Sequence, residues 1–396
     1  MNMRKFAVAA VVGLATVAAW GVPTVSDLKV TPVAPWGMVL DYTVSGATAA
    51  EASVPVSVTA TAVGTNYVAR HLSGATNCEN GSHRVYWNMA KDGISATVAD
   101  SVVTVAHFDL YCVIDLSGGA NATNYPISYL PAEPAGGWPD EYKTTKLVLR
   151  RVEAGSFIMG DDQTDESHRV TLTKPFYMGV FEVTQRQWEL VMGTKPSYFS
   201  NASCYATRPV EYVSYNMIRG SSDGTRWPAS SAVDATSFLG RLRAKTGLDG
   251  FGLPTEAQWE YACRAGRTST YNNGSDAEDD LKTLGRYKDN GGSGSSSSCG
   301  TANGTAAVGS YVPNAWGLYD MHGNVWEWCL DWYGYGLSYG VDPSGSSSGS
   351  SRVQRGGSWS HYTYHCTSAY RNYYSPSNTN DDRGFRLVRN LNTKTE

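Results

Sequence analysis

The stretch SGGANATNYPISYLPAEPAGGWPDEYK, from Ser117 to Lys143, sets the first limit on what this chain can fold into. Proline lacks the amide that a helix or a central strand requires, and glycine weakens both, so no long regular element runs through it. A chain of 396 residues interrupted in this way is expected to build two cores rather than one. The expected layout is a β-domain over residues 22–116, an ordered linker over 117–146, a second domain over 147–390 and a tail over 391–396.

Residues 1–21 place Arg4 and Lys5 ahead of a short apolar run that ends in small residues, the layout of a secretory signal peptide. Export is therefore expected, to a secreted, periplasmic or cell-surface location, with no transmembrane segment left in the mature chain. A formal net charge of −4 without a dense Lys/Arg block gives no footprint for nucleic acid, whose binding depends on neutralising phosphates.

Between residues 22 and 116 the runs MVLDYTVSG, VPVSVTATAV, HRVYWNM and SVVTVAHFDLYCVIDL are rich in β-branched and aromatic residues and are separated by turn formers. That spacing suggests an all-β sandwich of immunoglobulin or fibronectin type III character, which Cys78 and Cys112 could bridge unless either is a buried free thiol. The chain has seven cysteines, Cys78, Cys112, Cys204, Cys263, Cys299, Cys329 and Cys366, and an odd number leaves at least one unpaired. None forms a C-x-x-C pair, which gives zinc little support.

The second domain opens with KLVLRRVEAGSFIMG, readable as a strand pair, and holds two helix candidates, TQRQWELVMG and PTEAQWEYACRAG. The ordered words FYMGVFEVTQRQW, RPVEYVSY, LPTEAQWEYACRAG, NAWGLYDMHGNVWEWCLDWYG, RGGSW and RGFRLVR follow one another through it. This series resembles the formylglycine-generating enzyme, or sulfatase-modifying factor, family. The resemblance implies a modified C-type-lectin fold, an α+β domain with little regular secondary structure.

It also implies a calcium site in DMHGNVWEW. Asp320 and Glu327 would supply side-chain oxygens, and Gly323 and Val325 would supply carbonyls, a set of hard donors suited to Ca²⁺. Trp326 and Trp328 are expected to be core residues. The enzymes of the family oxidise a substrate cysteine with O₂, using copper(I) held by two cysteines five residues apart, just after the GGS motif. Here the first of those positions is His361 and only Cys366 remains, so copper is not expected. A second alignment implied by the resemblance instead pairs Cys366 with Cys263 in a disulfide.

The segment GGSWSHYTYHCTSAYRNYY, residues 356 to 374, follows neither a helical nor a strand period. Between its fixed words stand Ser360, His361, Tyr362, Tyr364, His365, Tyr373, Tyr374, Asp381 and Asp382, with Asn372 and Asn380 beside them. All are residue types reached from the asparagine codon AAC by changing adenines alone. In this it resembles the variable proteins of diversity-generating retroelements, whose C-terminal segments are rewritten at adenines. Such residues combine amphipathic contact area with adaptable hydrogen bonding, as in antibody loops. The leading expectation is an exported, non-catalytic protein that binds a protein or glycan at a cell surface. Alternatives are a metal-dependent oxidoreductase of the formylglycine-generating type and a structural envelope protein.

Overall fold

The structure is a computed structural model that describes residues 24–33, 37–45, 56–62, 65–68, 72–74, 81–88, 102–107, 110–130, 132–161, 167–221, 232–291 and 303–391. The expected signal peptide and Cys78 lie outside the described residues. The chain divides into two compact units, with the boundary between Leu110 and Tyr111 and a short return of Leu130–Glu133 to the first.

In the first unit one sheet orders its strands Thr24–Val33, Gly37–Ser45, Gly81–Asn88 and Leu72–Gly74, and another orders Thr65–Val68, Val56–Ala62 and Val102–His107. All these pairings are antiparallel. Along Gly37–Ser45 the residues Met38, Leu40, Tyr42 and Val44 are buried and the intervening ones are not. Gly81–Asn88 repeats the pattern with His83, Val85 and Trp87, the period of two that buries one face of a sheet.

The second unit is mostly sheet with few helices. A six-stranded sheet runs Phe251–Gly252, Val388–Asn390, Phe176–Gly179, Lys146–Val152, Tyr111–Asp115 and Ile127–Leu130. A four-stranded sheet runs Asn372–Tyr374, Arg352–Arg355, Trp326–Trp332 and Arg383–Gly384, and a three-stranded one runs Gly155–Met159, His168–Leu172 and Gly340–Val341. Both anticipated helices are present, as Gln185–Met192 and Glu256–Arg264. Each starts at a threonine that closes a capping box, Thr184 with Gln187 and Thr255 with Gln258. Such caps satisfy amides that the first turn leaves open, typically worth about 1 kcal/mol each. Trp188 stacks on Phe238 at 5.3 Å and Phe385 meets both rings edge-on, at the centre of one core. Trp259 anchors a second core with Met178, Val353 and Cys329.

Three expectations about layout are corrected. Tyr111–Asp115, placed in the first domain when the boundary was drawn at 116, pairs with Lys146–Val152 of the second unit, so the run SVVTVAHFDLYCVIDL serves two cores. The stretch 117–146 is no simple linker. It holds a strand and the helix Glu141–Thr144, and Tyr125 inserts its hydroxyl between the carbonyls of Gly119 and Leu190, 3.1 and 3.0 Å away, which share its one proton. Finally, Lys146–Val152 and Gly155–Met159 do not pair with each other but belong to different sheets.

Candidate functional site

The strand Trp326–Trp332 is buried at every residue, so it forms the spine on which the C-terminal segment is laid. Arg352–Arg355 pairs with it, and Asn372–Tyr374 pairs with Arg352–Gln354. Beneath this layer lies an ion network. Arg355 contacts Glu260 and reaches Glu256 at 3.5 Å, Arg264 binds Glu260 at 2.8 Å, and Arg371 donates to both carboxylate oxygens of Glu256. Arg355 also donates to the carbonyl of Tyr370, which ties the network to the segment above.

The segment itself is held largely by main-chain bonds. The His361 carbonyl accepts from the Lys288 amide at 2.9 Å, the His365 amide donates to the Tyr362 carbonyl, and the Asn380 carbonyl accepts from the Tyr212 amide. Side chains are therefore freed to face outward. Tyr362, Tyr364, Tyr373 and Tyr374 are 47%, 54%, 48% and 39% exposed, which places all four at the surface. Lys288 covers Tyr362, donating to its hydroxyl at 2.6 Å. His365 packs on Tyr364 at 4.0 Å and meets the His361 ring at 5.0 Å.

His361 Nδ1 accepts from the Trp326 indole at 3.3 Å and lies 2.7 Å from the Ser358 hydroxyl and 3.8 Å from Asp382. The proton of this ring therefore sits on Nε2. Burial, with Arg383 and Lys288 nearby, pushes its pKa down to about 4, so the imidazole is neutral. Asp382 in turn contacts Arg383 at 3.2 Å, whose guanidinium lies 3.7 Å above the Tyr374 ring. Contacts thus join Tyr362, Tyr364, His365, His361, Asp382 and Tyr374 into one patch. Tyr373, the alternate residue of its strand, turns instead onto Tyr333 at 4.1 Å. Ser360, Asn372 and Asp381 are half-buried at the edges. Asp382 is a correction. It is buried beneath the patch rather than displayed, because Arg383 and His361 need a polar partner there.

The expected Cys263–Cys366 disulfide is also corrected, since both are free, buried thiols. The two sulfurs belong to different cores, Cys263 to the one around Trp259 and Cys366 to a cluster with Tyr271, Leu281, Leu284 and Tyr287. His322 touches both residues: its Nε2 accepts from the Asn272 amide and sits 3.9 Å from the Cys263 sulfur, while its Nδ1 donates to the Cys366 carbonyl at 2.8 Å. Burial pushes both thiols up to about 12, which leaves almost no thiolate for metal binding or attack. Cys329 is likewise a free, buried thiol, the buried Cys112 sulfur lies 3.7 Å from the Arg389 guanidinium, and Cys204 is disulfide-bonded.

Of the four residues of the implied calcium site, all buried, Asp320, Glu327 and the Val325 amide meet in a cluster of mixed charge, while the Gly323 amide donates to the Gly356 carbonyl. Glu327 places both carboxylate oxygens on Arg386, at 2.6 to 2.9 Å, and accepts from the Trp259 indole at 2.7 Å. Glu182, which sequence reasoning missed, accepts from the Asn324 side chain and the Val325 amide. Asp320 accepts from the Gly309 amide through Oδ2, while its Oδ1 is buried without a partner. Burial raises the pKa of Glu182 well above the usual range, and that of Asp320 to about 6. Among the described residues no three His, Cys, Asp or Glu side chains converge as a metal cage. The fit to a cation rests on the orphaned Asp320 oxygen, since Arg386 already closes Glu327.

Comparison with known proteins places this geometry in context. The sulfatase-modifying factor enzyme 1-like domain matches residues 139–391. Formylglycine-generating enzyme of Streptomyces coelicolor is 40% identical over 149 residues, which cover 34% of this chain and 46% of that enzyme. The match therefore spans less than half of that enzyme's length. Chaperone protein LppX of Paenibacillus barcinonensis is 30% identical over 265 residues, 61% of this chain and 89% of LppX. Among solved structures, Treponema denticola variable protein 1 superposes with a TM-score of 0.50 at 29% identity, covering 62% of this chain and 96% of that one.

Proposed function

The chain belongs to the sulfatase-modifying factor enzyme 1-like domain family, and from that premise we propose that it is a ligand-binding member without the oxidase chemistry. The observation that carries this reading is the patch of exposed tyrosines on a backbone-anchored segment; by the resemblance, neutral His361 would stand where the oxidases carry the first copper thiol. In this reading the chain is exported by residues 1–21, the two N-terminal sheets pack as a sandwich that displays the second unit, and the patch binds a ligand at a cell surface. No helix among the described residues is long and apolar enough to cross a membrane.

Two experiments separate this reading from an enzymatic one. A sulfatase-type peptide incubated with the protein under air, with or without copper, is expected to keep its cysteine. A mass loss of about 18 Da in that peptide would show that a nucleophilic or redox-active thiol is present after all. The source genome is expected to carry, close to this gene, a reverse transcriptase gene and a near-copy of the DNA for residues 352 to 389. That copy should encode asparagine at most of Ser360, His361, Tyr362, Tyr364, His365, Tyr373, Tyr374, Asp381 and Asp382. A neighbourhood without it would leave the tyrosine patch as ordinary surface.

Calcium enters the same proposal as a structural ion. Asp320 Oδ1, with the carbonyls of Gly323 and Val325, would hold it, and its charge would offset carboxylates that one guanidinium leaves in excess. Saturating Ca²⁺ is then expected to raise the unfolding temperature, because an ion at about 100 times its Kd stabilises the native state by about 2.7 kcal/mol. Asp320→Ala should lose that shift. An equal shift in the variant would remove Asp320 from the ligand set.

A further inference from the structure

Tyr212 departs from ordinary backbone geometry. Its φ is 63°, in the left-handed region that bulky side chains rarely occupy. A buried carboxylate keeps it there. Glu211 accepts from the amides of Tyr198 and Phe199, both at 2.9 Å, while Ser197 exchanges hydrogen bonds with the Glu211 main chain at 3.1 Å. The Tyr212 amide is spent on the Asn380 carbonyl. The result is a pair of rings, Tyr198 and Tyr212, 45% and 39% exposed, with centroids 6.5 Å apart and inclined at 30°. Single exposed aromatics call for no explanation, but two presented by separate loops through a buried acid and a strained residue do.

Contacts also join this pair to the C-terminal patch. Tyr198 meets Phe199 edge-on, Phe199 meets Trp359 at 5.2 Å, and the Trp359 indole donates to the Asp381 carbonyl. On the other side Tyr212 is bonded to Asn380, one residue away from Asp381. We infer that Tyr198 and Tyr212 form a fixed arm of the binding surface, contacting the same ligand as the tyrosines of the C-terminal segment, and that Glu211 is the residue that positions them. The inference rests on the binding reading above.

The shape favours a polypeptide ligand. Six exposed tyrosines, Tyr198, Tyr212, Tyr362, Tyr364, Tyr373 and Tyr374, supply amphipathic anchors, and a cavity of about 380 Å³ lined by Trp332, Leu337, Tyr339 and Arg371 includes none of them. Broad faces with aromatic anchors suit protein partners, and small sugars call for concave sites. A fixed arm beside a changeable patch would give every version of the surface a shared foothold.

The test uses the full chain and a phage-displayed library of random 12-residue peptides. Peptides selected on the wild-type protein are expected to lose at least tenfold in affinity on Tyr212→Ala and on Tyr198→Ala, and similarly on Tyr364→Ala. Tyr339→Ala, whose ring packs on His168, should leave affinity unchanged. Glu211→Gln, which keeps the shape but weakens the grip on the two amides, should weaken binding while unfolding cooperatively like wild type. Peptides that depend on Tyr364 but not on Tyr198 or Tyr212 would overturn the fixed arm and leave the patch standing. Peptides indifferent to all three would overturn both.

Discussion

Arg386→Met lowers the unfolding temperature by about 10 °C or more at pH 8, and by much less at pH 5. The magnitude follows from leaving buried charge unpaired, which costs about 3–5 kcal/mol, at about 2–4 °C per kcal/mol for a domain of this size. Arg386 is completely buried and is the guanidinium that Glu327 chelates, with Glu182 and Asp320 close enough to interact. Burial opposes its charge, but these carboxylates outweigh that and hold it cationic. The sign of the pH effect comes from linkage. Asp320 has its pKa raised to about 6 when folded, above its ordinary value of 3.8, and burial likewise raises Glu182 well above its own, so the folded state binds the extra protons. Stability therefore falls as pH climbs through that window and recovers as it drops. Protonation at pH 5 removes the charge that the missing arginine would have balanced. Thermal melts of wild type and variant at both pH values decide the matter. Should the methionine variant not fold, Arg386→Lys keeps a cation and is expected to lie between the two. Equal melting points at pH 8 would mean that the cluster carries no unpaired charge.

Gly357→Ala is expected to cost about 3 kcal/mol or more. Gly357 has a φ of 79°, where an alanine loses about 1–2 kcal/mol. A Cβ there would also overlap the sulfur of Cys366 and come within 2.9 Å of its Cα, a close approach to rigid backbone with an overpacking cost of about 1–3 kcal/mol. The second glycine of GGSW is thus required because Cys366 lies directly beneath the turn. Adding Cys366→Ala removes the sulfur and should recover part of the loss, whereas the backbone term remains. Denaturant melts of the single and double variants would measure both parts, and a Gly357→Ala protein within about 0.5 kcal/mol of wild type would contradict this packing.

Local chemistry made some of this legible in advance. Thr184 with Gln187 and Thr255 with Gln258 announce two helices from four residues each, because a capping box is a contact between near neighbours. The exposed tyrosines were likewise legible, since no period was available to bury them. What was missed depends on distant partners. Helix Phe238–Thr246 carries the Ser237 cap and Gly247 stop of any helix, yet its apolar face makes sense only against Trp188 and Phe385. Tyr111–Asp115 looks like its predecessor strand until Lys146–Val152 claims it. The supposed disulfide failed because Cys263 and Cys366 pack into different cores, which no spacing of cysteines could reveal. Glu182 lies far along the chain from the DMHGNVWEW word, and only folding brings it to Asn324 and Val325.

The main-chain anchoring of residues 358 to 382 has a consequence for inheritance. Hydrogen bonds between amides and carbonyls are indifferent to side-chain identity, so the letters written at Tyr362, Tyr364 and Tyr374 carry almost no folding information. A genome can therefore revise those codons without first solving the fold again, and most revisions will yield a protein that still assembles. His361 and Asp382, which reach inward to Trp326 and Arg383, and Tyr373 and His365, which pack on Tyr333 and Tyr370, have their vocabulary restricted by structure.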